Sequence, residues 1–224
     1  MDIRRNVLIS LGLILLTAPL IWAQDLSKYR TFSLGTSLAE VSKQLGPDFK
    51  PTLIHQRPAV IQEITFWLMG GSSQSRGKVD PVSQILFSFY NGTLYRILVI
   101  YDQRATEGLT AEDMVQAVSA QYGSATRPDT DISFPTKAFY ESKEKLIARW
   151  EDSQNSVNLF RSGTLDSFGL VLLSKRLDAE AEAAIIESVK LEKEEAPQKE
   201  IERQKKEADD LELARQKNKK TFHP

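Results

Sequence analysis

The feature that most limits what this chain can fold into is a plan that recurs 77 residues apart. Ser37 stands three residues before Glu40, the spacing at which a hydroxyl and a carboxylate cap each other's backbone N–H groups at a helix start. Leu38, Val41 and Leu45 then share one helical face, and Gly46-Pro47 stops the element. Thr110 and Asp113 repeat the cap, Met114, Val115, Val118 and Tyr122 repeat the face, and Gly123 repeats the stop, with Pro128 downstream. The shift places Leu38 on Val115, Val41 on Val118, Ser42 on Ser119, Leu45 on Tyr122 and Gly46 on Gly123.

Three strand signals follow each helix. In the first half they are Ile61 to Met69, Gln84 to Tyr90 and Leu94 to Tyr101; in the second, Lys145 to Glu151, Val157 to Arg161 and Phe168 to Ser174. Asn91-Gly92 marks a tight hairpin, because both residues tolerate the positive φ such a turn needs. A strict two-residue turn would put Arg96 on the face of Phe89 and Leu94, so a bulge is expected to turn the charge away. Asp152-Ser153-Gln154-Asn155 joins two strands of the second half, and Gly70 to Gly77 forms a flexible connection in the first. A helix with three strands leaves a sheet face too large for that helix to hide, so the two copies must share a core. The expected fold class is α+β: two tandem helix–β–β–β units packed together, residues 24–104 and 105–176, then a docking helix over 177–196 and a charged helical or disordered tail over 197–224.

Two segments, Leu34-Gly35-Thr36-Ser37-Leu38-Ala39-Glu40-Val41 leading to Leu45-Gly46-Pro47, and Phe87-Ser88-Phe89-Tyr90-Asn91-Gly92-Thr93-Leu94, carry a resemblance. By pattern, the chain resembles the outer-membrane assembly lipoproteins of the BamE (SmpA/OmlA) family and the β-lactamase-inhibitor-protein fold, which repeats such a unit in tandem. The resemblance implies a non-catalytic protein that works by binding other proteins. The chain departs from the lipoproteins in having no cysteine to accept a lipid.

Arg4 and Arg5, the apolar run Val7 to Leu16 and the stretch ending at Ala23 have the three-part form of a cleavable signal peptide over residues 1–23. The run is too short to span a hydrocarbon layer of about 30 Å. The protein is therefore expected in the periplasm or secreted, with no integral span after cleavage; the alternative is an uncleaved N-terminal anchor reaching from Val7 to Trp22. The absence of cysteine removes disulfides, thiolate catalysis and Cys-based zinc sites. A formal net charge of −1 gives no general field for nucleic acid. At 41% hydrophobic and 26% charged residues the composition excludes collagenous, wholly disordered and polytopic membrane classes.

Ala181, Ile185 and Val189 recur at four-residue spacing, a stripe that would dock a helix on the body. Residues 193–220 hold nine basic and eight acidic side chains among 28, without a heptad seam through Ile201, Leu211 and Leu213. Pro197 is expected to break the incoming helix. Lys217-Asn218-Lys219-Lys220 suits a helix C-terminus rather than a nucleic-acid patch.

Chemistry is thinly supported. His55 lies in a linker beside Pro51 and Pro58 and reads as solvent-exposed, and His223 sits next to the last residue. There is no Gly-x-Ser-x-Gly elbow and no phosphate-binding Gly-Lys-Ser/Thr ending. Asp129 and Asp131 lack the rest of a calcium loop, and Glu141, Glu144, Glu151 and Asp152 read as exposed edge charges. Trp150 and Phe160 read as core. Trp67 alternates away from Ile64, Phe66 and Leu68, and Tyr90 and Tyr95 can share the amphipathic face of the Asn91-Gly92 hairpin. The three are the candidate protein-binding residues, because exposed aromatics on a sheet bury much area with few rotors to freeze. The competing reading is that the second unit or the docked tail covers them as core. The expected role is an exported, non-catalytic protein-binding or assembly-accessory protein of the bacterial cell envelope, partnered by another envelope protein, with no cofactor, metal or catalytic residue. The alternative is a carrier of a small apolar ligand held between the two sheet units.

Overall fold

The computed structural model describes residues 24–68, 80–134, 143–163 and 166–221. The leader, the Gly70 to Gly77 connection, Glu141 and His223 lie outside the described residues. A small hairpin of β1 (Lys28–Tyr29) and β2 (Phe32–Ser33) precedes α1 (Leu38–Leu45), β3 (Thr52–His55), β4 (Ile61–Trp67), β5 (Val82–Tyr90) and β6 (Thr93–Tyr101). Then come α2 (Ala111–Tyr122), β7 (Asp131–Ser133), β8 (Lys143–Glu151), β9 (Asn155–Ser162), β10 (Ser167–Ser174) and α3 (Lys175–Thr221).

Both expected capping boxes form: Ser37 with Glu40 at α1 and Thr110 with Asp113 at α2. These bonds hold the Glu40 and Asp113 carboxyls below the usual carboxylate range. Strands β3 to β10 make one eight-stranded antiparallel sheet in the order β3-β4-β5-β6-β10-β9-β8-β7. Each half thus has four strands, because short β3 and β7 extend the three read from sequence. The halves do not stack face on face; β6 and β10 pair edge to edge at the centre. Leu94 to Ile100 and Phe168 to Leu172 are near-continuous apolar runs, the composition of strands covered on both sides.

One face carries α1, α2 and the β1–β2 hairpin. Val41, Met114, Val118 and Tyr122 pack there against Phe87, Phe89, Ile97, Val99, Trp150 and Leu159. The other face buries Leu86, Leu98, Phe160 and Val171 with Phe134, and Ile61 and Tyr95 beneath Ala181 of α3. The Asn91-Gly92 turn uses positive φ at both residues, 48° and 79°. Beyond it the ladder slips: Phe89 faces Leu94, but Ser88 faces Arg96, so Tyr95 is an inserted residue and Arg96 turns toward α3. This is the bulge the charge required.

Candidate functional site

The candidate site is built around α3, which has two unlike parts. Its first five turns lie on the sheet. Asp178, Ala181, Ala184 and Ser188 are buried on this stretch, and Leu177 and Ile185 pack with Ile61, Tyr90, Tyr95 and Ile54. Three polar fastenings reinforce the contact. Arg96 donates to Asp178 Oδ1 from Nε at 2.8 Å and from Nη2 at 2.5 Å. Ser188 Oγ lies 2.8 Å from His55 Nδ1, and Arg57 donates to Glu195 at 2.8 and 2.9 Å. Burial opposes the Arg96 charge, but Asp178 and Tyr95 outweigh it, so the guanidinium is held above its ordinary pKa.

The second part of α3 is a projecting arm. From Ala196 to Thr221 every residue is exposed, which at ~1.5 Å per residue carries the helix about 39 Å beyond the body. Pro197 does not break it: the helix runs through from Lys175 to Thr221. In water the carbonyl freed by the missing proline N–H can be solvated. Ion pairs hold the helix on either side of it, Lys199 to Glu195 at 2.9 Å and Arg203 to both Glu200 and Glu207. Ile201, Leu211 and Leu213 all point to solvent.

The three candidate aromatics fare differently. Trp67 is 60% exposed at the end of β4. Tyr90 is partly buried under α3, and Tyr95 is only 1% exposed, covered by α3 and the Arg96 guanidinium, which stands 5.4 Å from its ring. Tyr95 is therefore core rather than contact surface. Burial, partly opposed by Arg96, pushes its phenol up to about 12. Tyr95 lies on the hairpin face that the chain's own helix α3 covers.

Two other expectations are corrected. His55 is on β3 with its side chain only 13% exposed, held by Ser188 and 3.4 Å from Glu192. Ser188 is itself 3% exposed, so this group fastens α3 instead of presenting a nucleophile. Glu144 is 2% exposed, not an open edge charge, and accepts from Gly163 N at 3.0 Å and Ser162 Oγ at 3.3 Å. Trp150, at 1%, and Phe160 are core, and the indole of Trp150 donates to the Gly123 carbonyl at 2.8 Å.

A hollow of about 870 Å³ opens where α3 begins, with Asp25, Asp152, Asn155 and Arg176 on its walls. Its acids are already used in turns: Asp25 accepts from Ser27, and Asp152 from the backbone of Gln154 and Asn155. Arg176 is drawn to Glu180 at 2.6 Å. A second hollow of about 440 Å³ is closed on one side by Arg161, which lies 4.7 Å over the Phe168 ring and pairs with Asp166. Among the described residues no three His, Asp or Glu side chains gather as metal ligands. No helix among them is long and apolar enough to cross a membrane. Comparison of the chain with protein-family models, with curated proteins and with solved structures finds no match.

Proposed function

We propose that this is an exported, non-catalytic interaction protein of the bacterial cell envelope, which reaches an envelope partner with the α3 arm. The observation that carries the reading is the arm itself: 26 consecutive exposed residues held as helix, fastened to the body at its root by Arg96, His55 and Arg57. A charged helix with so few contacts to its own body gains from being rigid only if something else meets it. Exposed Trp67 supplies a second contact point. The leader-like residues 1–23 support export and removal of a signal peptide, giving a periplasmic or secreted product.

The body reads as two related halves. In support, each begins with a reciprocal cap, closes its helix with a glycine of positive φ, and adds four antiparallel strands, and the sheet order mirrors about the β6–β10 junction. The pairing of acids with neighbouring donors in the hollow beside the start of α3 favours a binding role over turnover.

The test is affinity capture from envelope extract with three baits: the mature chain, the chain ending at Glu195, and Trp67→Ala. A partner retained by the first and lost by either of the others supports the proposal. Identical recovery by all three would end it.

A further inference from the structure

The two rims of the sheet are finished differently. At the β8 rim, β7 covers Lys143 to Lys145, and further along Thr126 exchanges both backbone bonds with Arg149, at 2.8 and 2.9 Å. At the β4 rim, β3 covers only Ile61 to Glu63. Pro51 precedes β3, and Phe49, two residues earlier, sits on the helix-covered face with its ring 4.8 Å from that of Phe66. Among the described residues no strand lies outside Ile64 to Trp67.

The register fixes what that rim offers. Asn91 N donates to Val60 O and Leu68 N to Ser83 O. Both pairs fall on the same β4–β5 register as Ile64↔Phe87 and Phe66↔Ile85. In an antiparallel ladder the residues bonded inward alternate with residues whose N–H and C=O point outward. Ile64 and Phe66 are thus tied to β5, and the backbone groups of Thr65 and Trp67 face out of the sheet. The side chains of Thr65 and Trp67 lie on the α3 face of the sheet, so the exposed Trp67 ring stands beside the same stretch of rim.

We infer that this rim is a strand-acceptor site: the outward backbone of Thr65 and Trp67 takes up an extended peptide segment of a partner, which places an apolar side chain against the Trp67 ring. Only another extended backbone matches donors and acceptors at this spacing. A second copy is the poorer fit. Antiparallel pairing of two β4 rims about a two-fold would bring each copy's β3, which protrudes beside the open stretch, toward the other copy's rim, whereas a single peptide strand runs past Thr52 in line with β3. The inference rests on the protein-binding reading and gives it a second, arm-independent site.

The decisive variant is Thr65→Pro. It deletes an outward N–H and leaves the β5 ladder intact, and proline is tolerated at such rim positions. The probe is a displayed library of randomised linear peptides about eight residues long, selected on the folded protein. Peptides should bind the wild type and Thr65→Val alike, and lose about tenfold or more in affinity on Thr65→Pro and Trp67→Ala. Native-state hydrogen exchange on the free wild type gives a reading that needs no variant: amides of Thr65 and Trp67 should exchange about tenfold or more faster than those of Ile64 and Phe66. Equal protection of all four amides would overturn the inference, as would peptides indifferent to Thr65→Pro. A wild-type dimer in sedimentation that Thr65→Pro converts to monomer would also overturn it, in favour of a second copy. If loss of the arm abolishes partner capture while Thr65→Pro changes nothing, the rim site fails and the protein-binding reading stands.

Discussion

Arg96 of β6 and Asp178 of α3, 82 positions apart in the chain, form a hydrogen-bonded pair in which two guanidinium nitrogens share one carboxylate oxygen, with the arginine only 1% exposed. The pair joins the bulge in the sheet to the first turn of the long helix. Removing Asp178 leaves the buried Arg96 with only the longer contact to Glu182 Oε1, at 3.4 Å, and a buried charge that has lost its close partner costs far more than the intact pair contributes.

Asp178→Ala is therefore expected to lower unfolding free energy by about 3–5 kcal/mol, and Arg96→Met combined with Asp178→Leu to recover most of it. Urea unfolding of the two variants measures both. A loss under about 1 kcal/mol in the single variant would mean that Glu182 or water takes over Arg96 when Asp178 is gone.

Gly169 of β10 lies under the Phe160 ring, where an added Cβ would stand 2.1 Å from ring Cζ. Gly169→Ala should cost about 1–3 kcal/mol. In a Phe160→Val background the added methyl should be close to neutral, so a double-mutant cycle should show strong coupling. Additive effects would place the cost in the backbone instead.

Burial raises the phenol of Tyr95 to about 12 and those of Tyr101 and Tyr122 also above their ordinary value. A raised folded pKa favours the neutral phenol, so this stabilisation is full below the unfolded value of about 10 and is lost as pH climbs from there toward 12. Tyrosinate absorbance should lag behind that of free tyrosine until far-ultraviolet ellipticity collapses, and Tyr95→Phe should move that collapse to higher pH. Complete ionisation near pH 10 with the fold intact would contradict this.

A chain ending at Glu195 should melt within about 2 °C of the full chain while losing helical ellipticity, because every residue from Ala196 to Thr221 is exposed. Ending at Glu187 removes Ser188 and Glu195 as well and should lower the midpoint clearly. A large drop from the first truncation would show that the arm supports the sheet.

Much of this architecture was legible because its determinants are local. Ser37 and Thr110 cap as their spacing demands, Asn91-Gly92 turns the hairpin, and the misfit of Arg96 with Phe89 and Leu94 was enough to require the bulge. What was missed depends on distant partners. Thr52 to His55 lie between prolines and become a strand only because β4 offers them a ladder. The pattern left Tyr95 open between contact surface and core, and the residues that decide it, Ala181 and Leu177, stand more than 80 positions on. Glu144 looks like a rim charge until the turn after β9 supplies the Gly163 amide. Pro197 shows the opposite error: a strong local rule yielded to solvent and flanking ion pairs. Trp67 was readable, since Ile64, Phe66 and Leu68 leave it on the other side of the strand.

The sheet's central pairing also dictates an order of events during synthesis. The N-terminal half emerges first, and until Ser167 to Ser174 arrive, Thr93 to Tyr101 can be bonded only to β5, an unprotected greasy border in the middle of the future molecule. During that interval the newborn chain is most open to sticking to its neighbours, so its yield in a cell should depend on a chaperone that shields this border until the second half closes it.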